Sequence, residues 1–80
     1  MPGIKLSSHA SEMLVERSIR EDGVWQTINA PSQTWRGPDG NFHYAKQVSE
    51  KRNCILHVVV DDEKDPQRVV TVLFDRRLQF

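Results

Sequence analysis

Residues 7–19 read Ser7-Ser8-His9-Ala10-Ser11-Glu12-Met13-Leu14-Val15-Glu16-Arg17-Ser18-Ile19, and the rest of the chain is organised around them. Ser7 or Ser8 is a helix N-cap, because a serine hydroxyl accepts a hydrogen bond from an otherwise unpaired N–H of the first turn. Glu12 is expected to add negative charge near the positive end of the helix dipole. At about 100° per residue, Ala10, Met13, Leu14 and Arg17 fall on one stripe, with Ser11, Val15 and Ser18 on the other side. The stripe should meet a core, which puts a guanidinium in it. Arg17 must therefore pair with an acid, snorkel past the helix end or line a cleft. His9 sits at the edge of the same stripe, within the first turn.

Before this helix, Ile4 and Leu6 read as a short extended lead-in. After it, Glu21 and Asp22 supply a first-turn acidic pair for a shorter helix that runs through Trp25 and Ile28 to about Asn29 and stops before Pro31. The period then changes. Gln33-Thr34-Trp35-Arg36 reads as a strand and Gly37-Pro38-Asp39-Gly40-Asn41 as a turn. Phe42, Tyr44, Lys46 and Val48 alternate with His43, Ala45 and Gln47 at period two. Ser49 to Asn53 is a polar turn. Cys54 to Val60 and Val69 to Phe74 are nearly all apolar and β-branched, as in central strands covered on both faces, with an acidic loop from Asp61 to Pro66 between them. These elements give an α+β fold with two N-terminal helices packed on an antiparallel sheet of about four strands. The apolar sheet face away from the helices is a surface for a second copy or another partner.

The 80 residues form a single domain, 1–80. A chain this short buries only about 60% of its unfolded surface, so its own stability is expected to be modest. Charged residues make up 28% and hydrophobic ones 38%, which is the composition of a globular domain, and the formal net charge is +0, so any basic site is a local patch. Cys54, the single cysteine, excludes an internal disulfide and reads as a buried spectator thiol. With no apolar run approaching membrane-spanning length and no leader-like start, a cytoplasmic protein without a membrane partner is expected.

Chemistry-bearing signatures of the common kinds are missing: no phosphate-cradling glycine loop, no paired-cysteine zinc motif and no nucleophile elbow. No pair among His9, His43 and His57 has metal-ligand spacing, so no metal and no cofactor is expected. Asp61-Asp62-Glu63-Lys64-Asp65 lacks the glycine and terminal glutamate of an EF-hand loop and reads as solvated. His57 among Ile55, Leu56, Val58 and Val59 reads as a satisfied core histidine, and His43 as an exposed residue flanking a turn. Polar residues on core-forming elements are a more informative set. Metal-free RNA cleavage needs a base for the 2′-hydroxyl, a cation for the phosphorane and an acid for the leaving oxygen, roles that His9, Arg17, Lys46 and Thr71 can supply. Tyr44 and Trp35 offer stacking surfaces for a base, and Arg36 and Arg52 further cations for the backbone. His9 and Arg17 lie about 12 Å apart along a helix, so they reach one phosphate only if Arg17 leans back toward the N-terminus.

At these residues the chain resembles a small bacterial domain family of unknown function with the pattern S-x-H-A-x-x-R-M-x-x-R-G-I, a proline after a short helix, a strand with tyrosine and a closing V-V-T-V-Y-type strand. That family is similar to the RelE and BrnT toxins, mRNA interferases of toxin–antitoxin pairs. The matching residues are Ser7 or Ser8, His9-Ala10, Glu16-Arg17-Ser18-Ile19, Val24, Pro31, Tyr44-Ala45-Lys46, Leu56-His57-Val58-Val59 and Val69-Val70-Thr71-Val72. Met13 and Leu14 replace the pattern's first arginine and its methionine, Ser18 its glycine and Leu73 its last aromatic. The resemblance implies a RelE-like fold and a toxin-type, metal-independent endoribonuclease acting on mRNA, with RNA or the ribosome and an antitoxin protein as partners. The competing reading is a non-catalytic interaction domain that forms a homodimer, or binds a partner, through its sheet face.

Overall fold

The structure, a computed structural model, describes residues 3–47, 55–64 and 66–75. Its elements in chain order are β1 (Ile4–Leu6), α1 (Ser8–Glu16), α2 (Glu21–Asn29), β2 (Gln33–Arg36), β3 (Phe42–Gln47), β4 (Ile55–Asp61) and β5 (Gln67–Asp75). The strands form one five-stranded sheet in the order β1-β5-β4-β3-β2. The α+β class is as expected, but the described residues form five strands where about four were expected, and a strand precedes the helices. Ile4–Leu6 is an edge strand that pairs in parallel with Gln67–Val69, whereas every other neighbouring pair is antiparallel. Three extended residues carry too little periodicity to separate an edge strand from a lead-in, and their partner lies at the far end of the chain.

Ser7 joins this edge to α1. Its amide donates to Val69 O at 3.0 Å, prolonging the β1–β5 ladder, and its hydroxyl accepts from Ala10 N at 3.0 Å, capping the helix. The first turn of α1 holds no acidic residue; Glu12 lies one turn too far along to serve the dipole there. Ala10, Met13 and Leu14 are buried as the helical period requires, but Arg17 is not. The helix ends at Glu16, so Arg17 becomes its C-cap, and the guanidinium passes beyond the helix end to donate from Nη1 to Val72 O at 2.8 Å.

The termination of α1 follows a Schellman pattern. Ser18 N donates to Val15 O at 3.3 Å and Ile19 N to Leu14 O at 2.9 Å, with Ser18 at φ 54°. Leu14 and Ile19 meet in the core, the apolar contact that accompanies this cap. In α2, Glu21 and Asp22 occupy the first turn as expected, and the buried Thr27 hydroxyl donates back to Gly23 O at 2.7 Å. A Cβ on Gly23 would stand 3.3 Å from Leu56 Cδ2, so the glycine lets α2 lie close on β4.

Alternation along the strands assigns two sheet faces. Tyr44, Leu56, Val58, Val60, Val69 and Val72 pack with both helices. Leu56, 1% exposed, lies at the centre of this core, where truncation to alanine costs about 2–5 kcal/mol. A bulge in β5 pairs Val59 with Thr71 but Val60 with Val69, leaving Val70 as the extra residue. The bulge keeps Val69 and Val72 both on the helix face and turns Thr71, Leu73 and Asp75 to the other one. Trp35, His43, Ala45, Ile55, His57 and Val59 share that second face.

Candidate functional site

The β2–β3 connection builds one end of a polar chain on the second face. Gly40 N donates to Gly37 O at 3.0 Å and Gly37 N to Asn41 O at 2.9 Å, closing a tight hairpin turn with Gly40 at φ 83°. Asp39, at the tip, accepts from Asn41 N at 3.0 Å. That amide, seconded by the His43 side chain, holds the Asp39 carboxyl below the usual aspartate range. His43, the second residue of β3, follows four residues later, and its Nε2 lies 3.2 Å from Asp39 Oδ1. Its Nδ1 lies 2.7 Å from His57 Nε2 on the neighbouring strand, and His57 Nδ1 lies 3.3 Å from Asp75 Oδ2.

Four side chains from a turn and three strands thus form one line: Asp39, His43, His57, Asp75. The sheet register explains how the two rings meet. His57 stands directly opposite Ala45, which is fully buried and small enough to let the imidazole lean across to His43, two residues along β3. Trp35, paired with His43 across β2 and β3, stacks on the His43 ring at 5.2 Å and 15° and lies tilted over the His57 ring at 5.2 Å. The histidine side chains are each 11% exposed, Asp39 is 47% exposed and Asp75 is 5% exposed, so the line runs from solvent into the interior.

The imidazoles face each other head on. Their centroids are 5.0 Å apart with nitrogens at 2.7 Å, the separation that results when both nitrogens lie on the line between ring centres. That is the geometry of an N–H···N hydrogen bond rather than of two lone pairs converging on one ion. Among the described residues no three His, Cys, Asp or Glu groups come together as metal ligands. With both carboxylates ionised, the three contacts need three ring protons. Two neutral imidazoles supply two, which satisfies the chain from one end or from the other; one added proton completes all three contacts.

The residues singled out in the sequence lie apart from one another. His9 is exposed on the first turn of α1. Arg17 is fastened to the β5 edge through Val72 O, and Lys46 donates from Nζ to Ala30 O at 2.9 Å, tying β3 to the end of α2. Thr71 faces the opposite side of the sheet, beside Val59. No single cleft holds these four. Tyr44 packs toward the helices and edge-on to Phe42 at 5.1 Å, where burial raises its phenol above the ordinary value. Arg36 forks onto Asp62 at 2.8 and 2.9 Å and lies 5.4 Å from the Phe42 ring centre. Trp35 alone of the proposed stacking residues meets the histidines. Arg52 and Cys54 lie outside the described residues.

His43 is buried at 9% exposure where an exposed residue was expected, and His57, expected to be a satisfied core histidine, is satisfied by His43. Asp39 and Asp75 were not singled out at all. One signal pointed to the pair: Trp35, His43 and His57 all lie on strands at positions that turn away from the helices.

No curated protein and no solved structure matches the chain, and nothing in these comparisons links it to the RelE or BrnT toxins. One family does match, over residues 6–74, a span that holds both helices and three members of the polar chain, with Asp75 one residue past its end. On that match, the chain belongs to the family described as a domain of unknown function, DUF4258.

Proposed function

We propose that this domain is a metal-independent endoribonuclease acting on mRNA, with its acid–base chemistry centred on His43 rather than on α1. The observation that carries the reading is the continuous chain Asp39–His43–His57–Asp75. His43 Nε2 is its outermost ring nitrogen, covered by the side chain of Asp39 at the tip of a glycine-flanked turn and bordered by Gly37 of the same turn. A change of rotamer at Asp39 presents that nitrogen to a substrate. It then takes the proton of a ribose 2′-hydroxyl while the 2′-oxygen attacks phosphorus. The 5′-oxygen leaves with a proton delivered from the protonated pair, and the products are a 2′,3′-cyclic phosphate and a 5′-hydroxyl. Positioned acid–base groups contribute about 10²–10⁴-fold. Trp35 supplies an aromatic surface beside the reacting nitrogen, where stacking of a base is worth about 1–3 kcal/mol.

Cytoplasmic location, a ribosomal context and an antitoxin partner belong to the same proposal. The interaction-only reading draws less support from this face. Ile55 and Val59 are already buried within the chain, and of its large apolar side chains among the described residues Trp35 and Leu73 keep partial exposure. A standard interface needs about 800 Å² from each partner.

The test is incubation of purified protein with single-stranded RNA, with and without ribosomes and in the presence of a chelator. Cleavage that leaves cyclic phosphate ends, persists with chelator and disappears in His43→Gln is expected. Absence of cleavage under every condition, together with normal growth on expression, would overturn the nuclease reading in favour of the interaction domain.

A further inference from the structure

We infer that Asp75 is a positioning residue that sets the tautomer of His43 from two hydrogen bonds away, and so determines which nitrogen is the base. The inference deepens the nuclease reading in its kinetic consequence; its tautomer content stands without any substrate. When each imidazole holds one proton, the chain has two self-consistent arrangements. In the inward one, His57 Nδ1–H donates to Asp75, His57 Nε2 accepts from His43 Nδ1–H, and the lone pair of His43 Nε2 points outward toward Asp39. In the outward one every proton is reversed: His43 Nε2–H donates to Asp39, His57 Nε2–H donates to His43 Nδ1, and a ring lone pair faces Asp75.

The surroundings decide between them. The arrangement that is not adopted leaves a lone pair facing a carboxylate oxygen at one end. At Asp39 the carboxylate is 47% exposed beside an imidazole that is 11% exposed, so water reaches and solvates the carboxylate. At Asp75 the carboxylate is 5% exposed and its imidazole neighbour 11% exposed, so the opposed lone pairs would sit where water screens them poorly. The inward arrangement therefore prevails. His43 is held as the Nδ1–H tautomer, with its Nε2 lone pair directed at the surface, the form a general base requires. Trp35 keeps both rings in place, stacked on His43 and tilted over His57.

The experiment is long-range ¹H–¹⁵N correlation NMR of histidine-labelled full chain in alkaline buffer, where each ring carries one proton. In the wild type, both His43 and His57 are expected as Nδ1–H tautomers. Asp75→Asn, whose amide can donate to His57 Nδ1, is expected to turn both rings to Nε2–H, while Asp39→Asn leaves the wild-type tautomers in place. In cleavage assays Asp75→Asn then lowers kcat at least tenfold with KM little changed, which a loss of packing alone does not produce. A wild-type His43 found as Nε2–H, or tautomers that survive Asp75→Asn in a folded protein, would overturn the inference. If Asp75→Asn does not fold, the wild-type spectrum decides by itself. Failure to find any RNA cleavage would remove the kinetic consequence and leave the tautomer result standing.

Discussion

Gly37 lies directly against the ring of His43: a Cβ added to the glycine would clash with His43 Nε2 and stand 2.7 Å from Asp39 Oδ1 and 2.8 Å from His43 Cδ2. The turn that carries Asp39 and the ring that Asp39 meets are therefore fitted to one another around a missing side chain. Gly37→Ala is expected to push His43 out of line with His57, destabilise the domain by about 1–3 kcal/mol through overpacking and lower any RNA cleavage as much as loss of the histidine does. Denaturant unfolding and the His43–His57 NMR contact check it. An unperturbed pair in the variant would show that the turn does not hold the ring.

Ser18 occupies a left-handed position, φ 54°, at the end of α1. That conformation strains a residue with a Cβ and suits glycine, which is the residue the pattern quoted for the resembling family has there. Ser18→Gly is expected to stabilise the domain by about 1 kcal/mol, or roughly 4–8 °C in Tm for a chain of this size. Thermal unfolding followed by circular dichroism gives the answer.

Arg17 reaches Val72 O on β5, beyond the stretch that β1 covers. Arg17→Ala therefore removes one hydrogen bond from the helix end to the sheet, with an expected loss of about 1 kcal/mol in stability. Cleavage at a temperature where the variant stays folded should remain within a few-fold of wild type. A loss of cleavage with stability unchanged would instead put Arg17 at the substrate.

Acid dependence follows from two surface carboxylates. Asp39 is held low by the Asn41 amide and then by His43, which donates from Nε2 when the pair carries the third ring proton, and Asp62 is held low by its hydrogen bonds from Arg36. Because both folded values lie below the ordinary 3.8, their stabilising contribution is present above that pH and is lost as pH falls through the lowered folded values. Tm measured against pH should drop below about pH 4, and the drop should be smaller in Asp39→Asn and Asp62→Asn than in wild type.

The sequence carries much of this fold because most elements are specified locally. Ser7 caps α1, Pro31 follows the end of α2, and Gly37-Pro38-Asp39-Gly40 makes the turn its residue types demand. The edge strand Ile4–Leu6 escaped because its partner is remote. The site escaped for a related reason. That His43 and His57 touch depends on the register of β3 against β4, which sets Ala45 opposite His57, and on the smallness of Ala45; alternation along either strand reveals neither. Arg17 misled in the opposite way, because a helical stripe extended one residue past the real helix end turns a capping residue into a core residue.

The measurement that tests the account most directly is the rate of RNA cleavage by His43→Gln beside His9→Gln, each shown to be folded. The account predicts that His43→Gln loses about 100-fold or more while His9→Gln keeps the wild-type rate. A protein that cleaves normally without His43, or that loses activity only without His9, would contradict it and return the chemistry to α1.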